Sequence, residues 1–326
     1  MQFRLLILIS LISLISITGL YAYAVTLDVT PIAQVNDDSD TLLNGAMDIA
    51  IATIDDSTYA VVSSNVEHGI QIIDISDPSN PTAVSSLGDD GGNTLLRKSN
   101  GNEIYTIGGS TYVVVASNED DGIQIIDISD PTSPTAVGKL EDDGDSECTA
   151  EPSLAEGTKC LDGAREVAIY TTSGSTYAVV AARDDDGIEI IDISDPTNPT
   201  SVGRILDDDN KNGCDSDEVC LDHVKGVRTT IINGKTYAIA SGQFDDGVEI
   251  IDISDPTNPT SVGRVVDTGA NNNVCTVANG ERCLGGVRQI AIAEIQSPNG
   301  ESVHYMITAG RSDNGIDIFD ISDPTS

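Results

Sequence analysis

Three groups of residues in this chain could do chemistry. The run Asp208-Asp209-Asn210-Lys211-Asn212-Gly213 opens like the D-x-[DN]-x-[DN]-G of a calcium loop, with Asp208, Asn210 and Asn212 at the oxygen-donor positions. The carboxylate that usually closes such a loop is missing, because Val219 falls in its place and Glu218 comes one residue early. Asn36, Asp38 and Asp40 give a weaker echo of the same spacing. The second group is six cysteines in three couples, Cys148 with Cys160, Cys214 with Cys220 and Cys275 with Cys283, and Leu follows the second member each time. The third is Arg165, Arg228 and Arg288, recurring in a G-x-R context where they could ring a channel mouth and hold an anion, or pair with the acids around them.

Nucleophilic chemistry has little material. His68, His223 and His304 stand in no motif with a Ser or Cys, and no G-x-x-x-x-G-K-[ST] loop is present to cradle phosphates. The formal net charge of −37 opposes binding to nucleic acid or to anionic membranes, which need basic patches to displace counterions. With no Trp and 4% aromatic residues, stacking platforms for sugars or bases are not expected either.

These residues sit on a repeat. Gly69-Ile-Gln-Ile-Ile-Asp-Ile-Ser-Asp-Pro78 returns from Gly122, Gly187, Gly247 and Gly315 with small changes. Each unit reads as four short β-branched runs bounded by Gly, Asp, Asn or Pro; in the third copy these are Arg165–Tyr170, Thr176–Ala182, Gly187–Ser194 and Thr200–Ile205. The unbroken apolar character of the third run fits a strand covered on both faces. Four antiparallel strands repeated radially make a propeller blade, so the expectation is an all-β, five-bladed β-propeller. Asp74 with Asp77, and Asp192 with Asp195, recur in every copy and read as turn caps, since an active site needs one constellation and not five.

The fifth copy ends where its fourth strand should begin, and Val29–Asp38 resembles the fourth-strand segments of other copies. Pairing it there would close the last blade with the N-terminal strand and remove an exposed edge. Met1–Ala24 has the basic start, apolar run and A-x-A end of a signal peptide, which leaves residues 25–326 as a single propeller domain. A secreted or cell-surface location follows, without membrane insertion after cleavage, and that setting favours disulfides within each cysteine couple.

The G-[IV]-x-I-I-D-I-S-D-P segment, with its following N-P-T and a preceding T-Y-A-V-V, resembles the LVIVD-repeat family. The resemblance implies an exported bacterial or archaeal surface propeller, mostly without assigned activity. Met47 and the divergent first strand near Asn102–Ile107 depart from the pattern and break the symmetry of any central site.

Strand parity puts the loops between strands two and three on the same face as the blade-to-blade loops. Acid gathers in both: Glu119-Asp120-Asp121 and Asp184-Asp185-Asp186 in the first set, Asp37-Asp38 and Asp207-Asp208-Asp209 in the second. Crowded carboxylates favour a bound cation, and calcium is the cofactor the sequence suggests; well-solvated loops are the alternative. The functional expectation is a binding or scaffolding module for a protein or polymer at the cell surface. Its rival is a calcium-dependent or carboxylate-based hydrolase at the channel mouth.

Overall fold

Alternation along a single strand explains the architecture. In Gly187–Asp192, Ile188 and Ile190 point into one apolar cluster with the following blade, while Ile191, and Ile193 just beyond, point into another with the preceding blade. A strand that serves two cores needs apolar side chains on both faces, and Ile188, Ile190 and Ile191 supply them.

The computed structural model describes residues 31–142, 144, 148, 158–207, 219–267, 282, 284–297, 299–313 and 315–325. Ala33–Ser326 form one compact unit; of the other, Met1–Ile32, only Pro31 and Ile32 are described. Five antiparallel sheets follow in chain order. Blade 1 holds β1 (Ala46–Ile54), β2 (Ser57–Ser64), β3 (Gly69–Asp74) and β4 (Thr82–Gly88). Blade 2 holds β5 (Ser99–Ile107), β6 (Ser110–Ser117), β7 (Gly122–Asp127) and β8 (Thr135–Glu141). Blade 3 holds β9 (Ala164–Thr172), β10 (Ser175–Ala182), β11 (Gly187–Asp192) and β12 (Thr200–Leu206). Blade 4 holds β13 (Val224–Ile232), β14 (Lys235–Gly242), β15 (Gly247–Asp252) and β16 (Thr260–Val266). Blade 5 holds β17 (Val287–Gln296), β18 (Ser302–Gly310) and β19 (Gly315–Asp320). The first strands of successive blades touch, β1 with β5, β5 with β9, β9 with β13 and β13 with β17, which is the radial order of a propeller.

The aspartates of the repeat do what their turn position demands. Asp192 Oδ1 accepts the Ser194 N–H at 2.9 Å and Asp195 Oδ1 accepts the Thr197 N–H at 3.0 Å, and the same pair of Asx turns recurs in the other blades. Tyr105 stacks on Tyr112 and Tyr170 on Tyr177 as packing between first and second strands.

Four apolar clusters join the blades in sequence. No such cluster joins blade 5 to blade 1 among the described residues. Ile316 and Ile318 of β19 are 65% and 63% exposed and Ile49 of β1 is 60% exposed, where their repeat equivalents are buried, and Ile51 is 55% exposed where its equivalents are partly buried. Residues 31–38 form no strand, and the fifth sheet has three strands among the described residues. Val35 nevertheless packs against the cluster of Ala60, Val62 and Ile73 in blade 1, as Ile205 of blade 3 packs against the cluster that includes Ala238, Ala240 and Ile251 of blade 4. No helix among the described residues is long and apolar enough to cross a membrane.

Candidate functional site at the axial mouth

The pairing register of the first strands sets levels along the axis. Ala46, Ser99, Ala164, Val224 and Val287 pair with the ends of their second strands, at Ser64, Ser117, Ala182, Gly242 and Gly310. The residues that follow, Met47, Asn100, Arg165, Lys225 and Arg288, therefore share one level at the mouth. Asp48, Gly101, Glu166, Gly226 and Gln289 form the next. Two residues further on lie Ala50, Glu103, Ala168, Arg228 and Ala291. A cavity of about 60 Å³ is lined from all five first strands, including Met47, Asp48, Asn100, Arg165, Glu166, Lys225 and Gln289. The strands converge tightly: a Cβ on Gly101 would lie 2.8 Å from the Glu166 Cα, so only glycine lets β5 approach β9 there.

The register corrects the arginine ring expected from sequence. Arg165 and Arg288 do share a level, but Arg228 lies three residues deeper and Lys225 stands in its place. The local G-x-R match aligned Gly226 with Gly163, whereas strand pairing aligns Val224 with Ala164. Arg228 instead spans to blade 3, its Nη1 2.7 Å from Glu166 Oε1. Burial pushes the Glu166 carboxyl up despite this arginine, and it does the same to Glu103, which shares the fields of Arg228 and Asp48. Asp48 Oδ2 accepts the Asn102 N–H at 2.9 Å. Glu166 thus pairs with the guanidinium, and Asp48 and the exposed Glu103 lie within reach of its charge, a grouping hidden by the divergence of the second copy. His223 is not among them; its ring stacks on Phe244 with centroids 4.2 Å apart.

The mouth level itself is cationic. Lys225 is 7% exposed, and no hydrogen bond or ion pair is formed by its ammonium among the described residues. Burial first, then Arg165, Arg183 and Arg288, bring it down to about 7. Arg165 is lowered by burial and by Arg183 and Arg288, and the Arg288 Nε is buried without a partner. His223 falls to about 4, from burial and then the Lys225 charge, so it is neutral near pH 7.

The acidic loops do lie together, and much of their acid is structurally engaged. In the first four copies the residue before the repeat glycine has a left-handed backbone, φ 58° at His68, 48° at Asp121, 54° at Asp186 and 50° at Asp246. Each side chain accepts a backbone N–H from the next blade: Lys98 to His68 Nδ1 at 3.0 Å, Gly163 to Asp121 at 2.9 Å, His223 to Asp186 at 2.8 Å, Gly286 to Asp246 at 2.5 Å. Asp142 and Asp207 take the Leu161 and Leu221 N–H groups, both at 2.9 Å. Crowding remains: burial and the neighbouring Asp121 raise Asp162 to about 6, and burial and nearby acids raise Asp185 and Asp245 to about 7.

Of the expected calcium ligands, Asp208, Asn210 and Asn212 lie outside the described residues. Asp38 caps its own turn, accepting the Asp40 N–H at 2.9 Å, and Asp40 accepts only the Ser39 hydroxyl at 3.4 Å. Sequence reading missed a different set: Asp186, Asp222 and His223 bring ligating atoms within 4.8 Å of one another. Cys148 and Cys160 are bonded, as expected. Cys220 is also in a disulfide, with a partner outside the described residues, as Cys214, Cys275 and Cys283 are.

Comparison with solved structures returns other proteins at low identity. One is a functionally unknown protein from Desulfotomaculum acetoxidans DSM 771, 12% identical, covering 85% of this chain and 70% of that one at a TM-score of 0.48. Another is an alpha-L-arabinofuranosidase from Lactobacillus brevis, 14% identical, covering 86% and 91% at 0.46. A third is a putative 6-phosphogluconolactonase from Bacteroides fragilis NCTC 9343, 15% identical, covering 82% and 68% at 0.49. At these values the likenesses carry no statement about activity. No curated protein matches the sequence. The LVIVD repeat matches residues 58–89, 103–142, 164–207, 240–267 and 310–326, one stretch in each blade, and identifies the chain as a member of the LVIVD repeat family.

Proposed function

We propose that this protein is an exported or cell-surface propeller that binds a protein or polymer at the axial mouth of its ring. The observation that carries this reading is where the repeat breaks. Hydrogen-bonded turns and blade joints recur from copy to copy, whereas the axial positions do not: Met47, Asn100, Arg165, Lys225 and Arg288 differ almost blade by blade. Interchangeable residues serve the scaffold, and residues that differ at one shared place suit a single asymmetric ligand. The acidic rim contributes solubility, and calcium bound among Asp162, Asp185 and their neighbours would relieve its crowding.

Two finer features belong to the same reading. The N-terminal strand supplies the fourth strand of blade 5, a role that the packing of Val35 on blade 1 supports. The remaining cysteines pair within their loops, Cys214 with Cys220 and Cys275 with Cys283; non-reducing peptide mapping tests this.

The functional test is capture of components from the native surface fraction, with and without calcium. Gln289 is exposed and lines the axial cavity, so Gln289→Trp narrows the mouth without disturbing a core. This variant is expected to lose capture while the rim variant Asp38→Asn retains it; the opposite pattern moves binding to the rim. A second reading, a hydrolase, is favoured by one observation, the Glu166–Arg228 pair with the charges of Asp48 and Glu103 within its reach. Turnover of chromogenic glycosides or esters that disappears in Glu103→Gln would select it.

A further inference from the structure

We infer that the axial mouth is a site for a small oxyanion, a carboxylate or phosphate group held by Lys225 and Arg165, which line the cavity, with the charge of Arg288 beside them. This rests on the axial reading above and names its ligand chemistry. In a chain with 16 Lys and Arg against 53 Asp and Glu, cations without a counter-ion are not expected anywhere. Yet among the described residues Lys225 is nine-tenths buried and unpaired, Arg165 forms no ion pair, and Arg288 keeps a buried Nε unpartnered. Burying like charges together without compensation is costly, and a charged group left unpaired in a protein interior marks a place where something else completes it.

The acids nearby do not supply that completion. Glu166 is paired with Arg228 and Asp184 with Arg183, while Asp48 Oδ2 is held by the Asn102 N–H and forms no ion pair with Lys225, Arg165 or Arg288 among the described residues. The remaining space, about 60 Å³, suits one small oxyanion or a few waters. A guanidinium offers a flat two-pronged donor and an ammonium a point charge, the combination that recognises carboxylate and phosphate oxygens.

The test is isothermal titration of the whole secreted chain with inorganic phosphate and, separately, with citrate, at low ionic strength. Saturable binding of at least one probe is expected, and competition between the two tells which oxyanion the site prefers. Lys225→Gln and Arg288→Gln should each weaken it about tenfold, through the loss of a charge-assisted hydrogen bond at Lys225 and of a neighbouring charge at Arg288, while Lys139→Gln on the exposed β8 leaves it unchanged. Arg288 is half-exposed and serves if the Lys225 variant does not fold. Absence of heat with both probes, or binding indifferent to both variants, overturns the inference. If either occurs while Gln289→Trp still abolishes capture, the axial reading stands and only the oxyanion is wrong. If Gln289→Trp leaves capture intact, the axial reading itself fails.

Discussion

Arg228 of blade 4 reaches across to Glu166 of blade 3, with Nη1 2.7 Å from Oε1, and the pair is unequal because Glu166 is 10% exposed at its side chain and Arg228 is 35% exposed. Burial outweighs the arginine and raises the glutamate, so the ionised carboxylate is the strained member. Arg228→Met, which strands that carboxylate, should therefore cost more than Glu166→Gln, which removes its charge. We expect roughly 2–3 kcal/mol for the first, below a fully buried pair because water screens the arginine, and under about 1 kcal/mol for the second. Urea unfolding at pH 7 measures both; equal losses would refute the asymmetry.

Glu189 occupies in β11 the position of Gln124 in β7. Gln124 accepts the Leu95 N–H at 2.9 Å and donates to the Gly138 carbonyl at 2.7 Å, a neutral fit. Glu189 is fully buried and burial raises it to about 7, against the Ser201 hydroxyl and Arg204, which favour its charge. Glu189→Gln should be neutral or stabilising at pH 8 and less so at pH 5. A destabilised variant at pH 8 would mean that Arg204 depends on the charge.

The pH dependence of stability follows from four raised carboxyls: Asp162 at about 6 and Asp185, Asp245 and Glu189 at about 7. Each binds its proton more tightly folded than unfolded. Their contribution is full below about pH 4 and is lost as pH rises through 6 to 7. His223, lowered to about 4, acts oppositely below about pH 6.5, and Lys225, lowered to about 7, acts oppositely between about pH 10 and 7, so the carboxyls dominate only below about pH 7. The melting temperature should therefore climb as pH falls from 7 towards 5. Calcium should flatten this slope by raising the melting temperature most at pH 7, and chelator should restore it; calcium without effect at either pH removes the proposed ion.

Gly203 in β12 lies against blade 4, where an added Cβ would overlap the carbonyl oxygen of Pro256. Gly138 and Gly263 meet Pro196 and Pro324 in the same way. Gly203→Ala should cost about 1–3 kcal/mol through forced separation of the blades. Gly174→Ala, in open space on a hairpin with φ 87°, isolates the conformational cost alone for comparison.

Much of this was legible in the sequence because the repeat speaks five times. The four strands of the third copy, the Asx turns at Asp192 and Asp195 and the shared face of Asp121 and Asp142 are local features, fixed by residues near one another in the chain. The axial site was not. Lys225 drew no notice because Val227-Arg228 imitates Ala164-Arg165, and only pairing with β14, with its irregularity between Val224 and Gly226, reveals the true register. Glu103 was lost in a strand that no longer resembles the others. The likeness of Val29–Asp38 to a fourth strand is local pattern too, but pairing it with β19 needs contacts between distant parts of the chain, and residues 31–38 form no strand.

The joints at His68, Asp121, Asp186 and Asp246 have a consequence for how such a protein can vary. Each is a single socket on one blade filled by one amide of the next, always in the same direction. The socket specifies where the next unit must start and leaves open how much chain is spent arriving. Extra chain can therefore be accommodated between one blade and the next while the geometry of the hub stays constant. A lineage could restyle the rim freely and would change the hub only by changing what it holds.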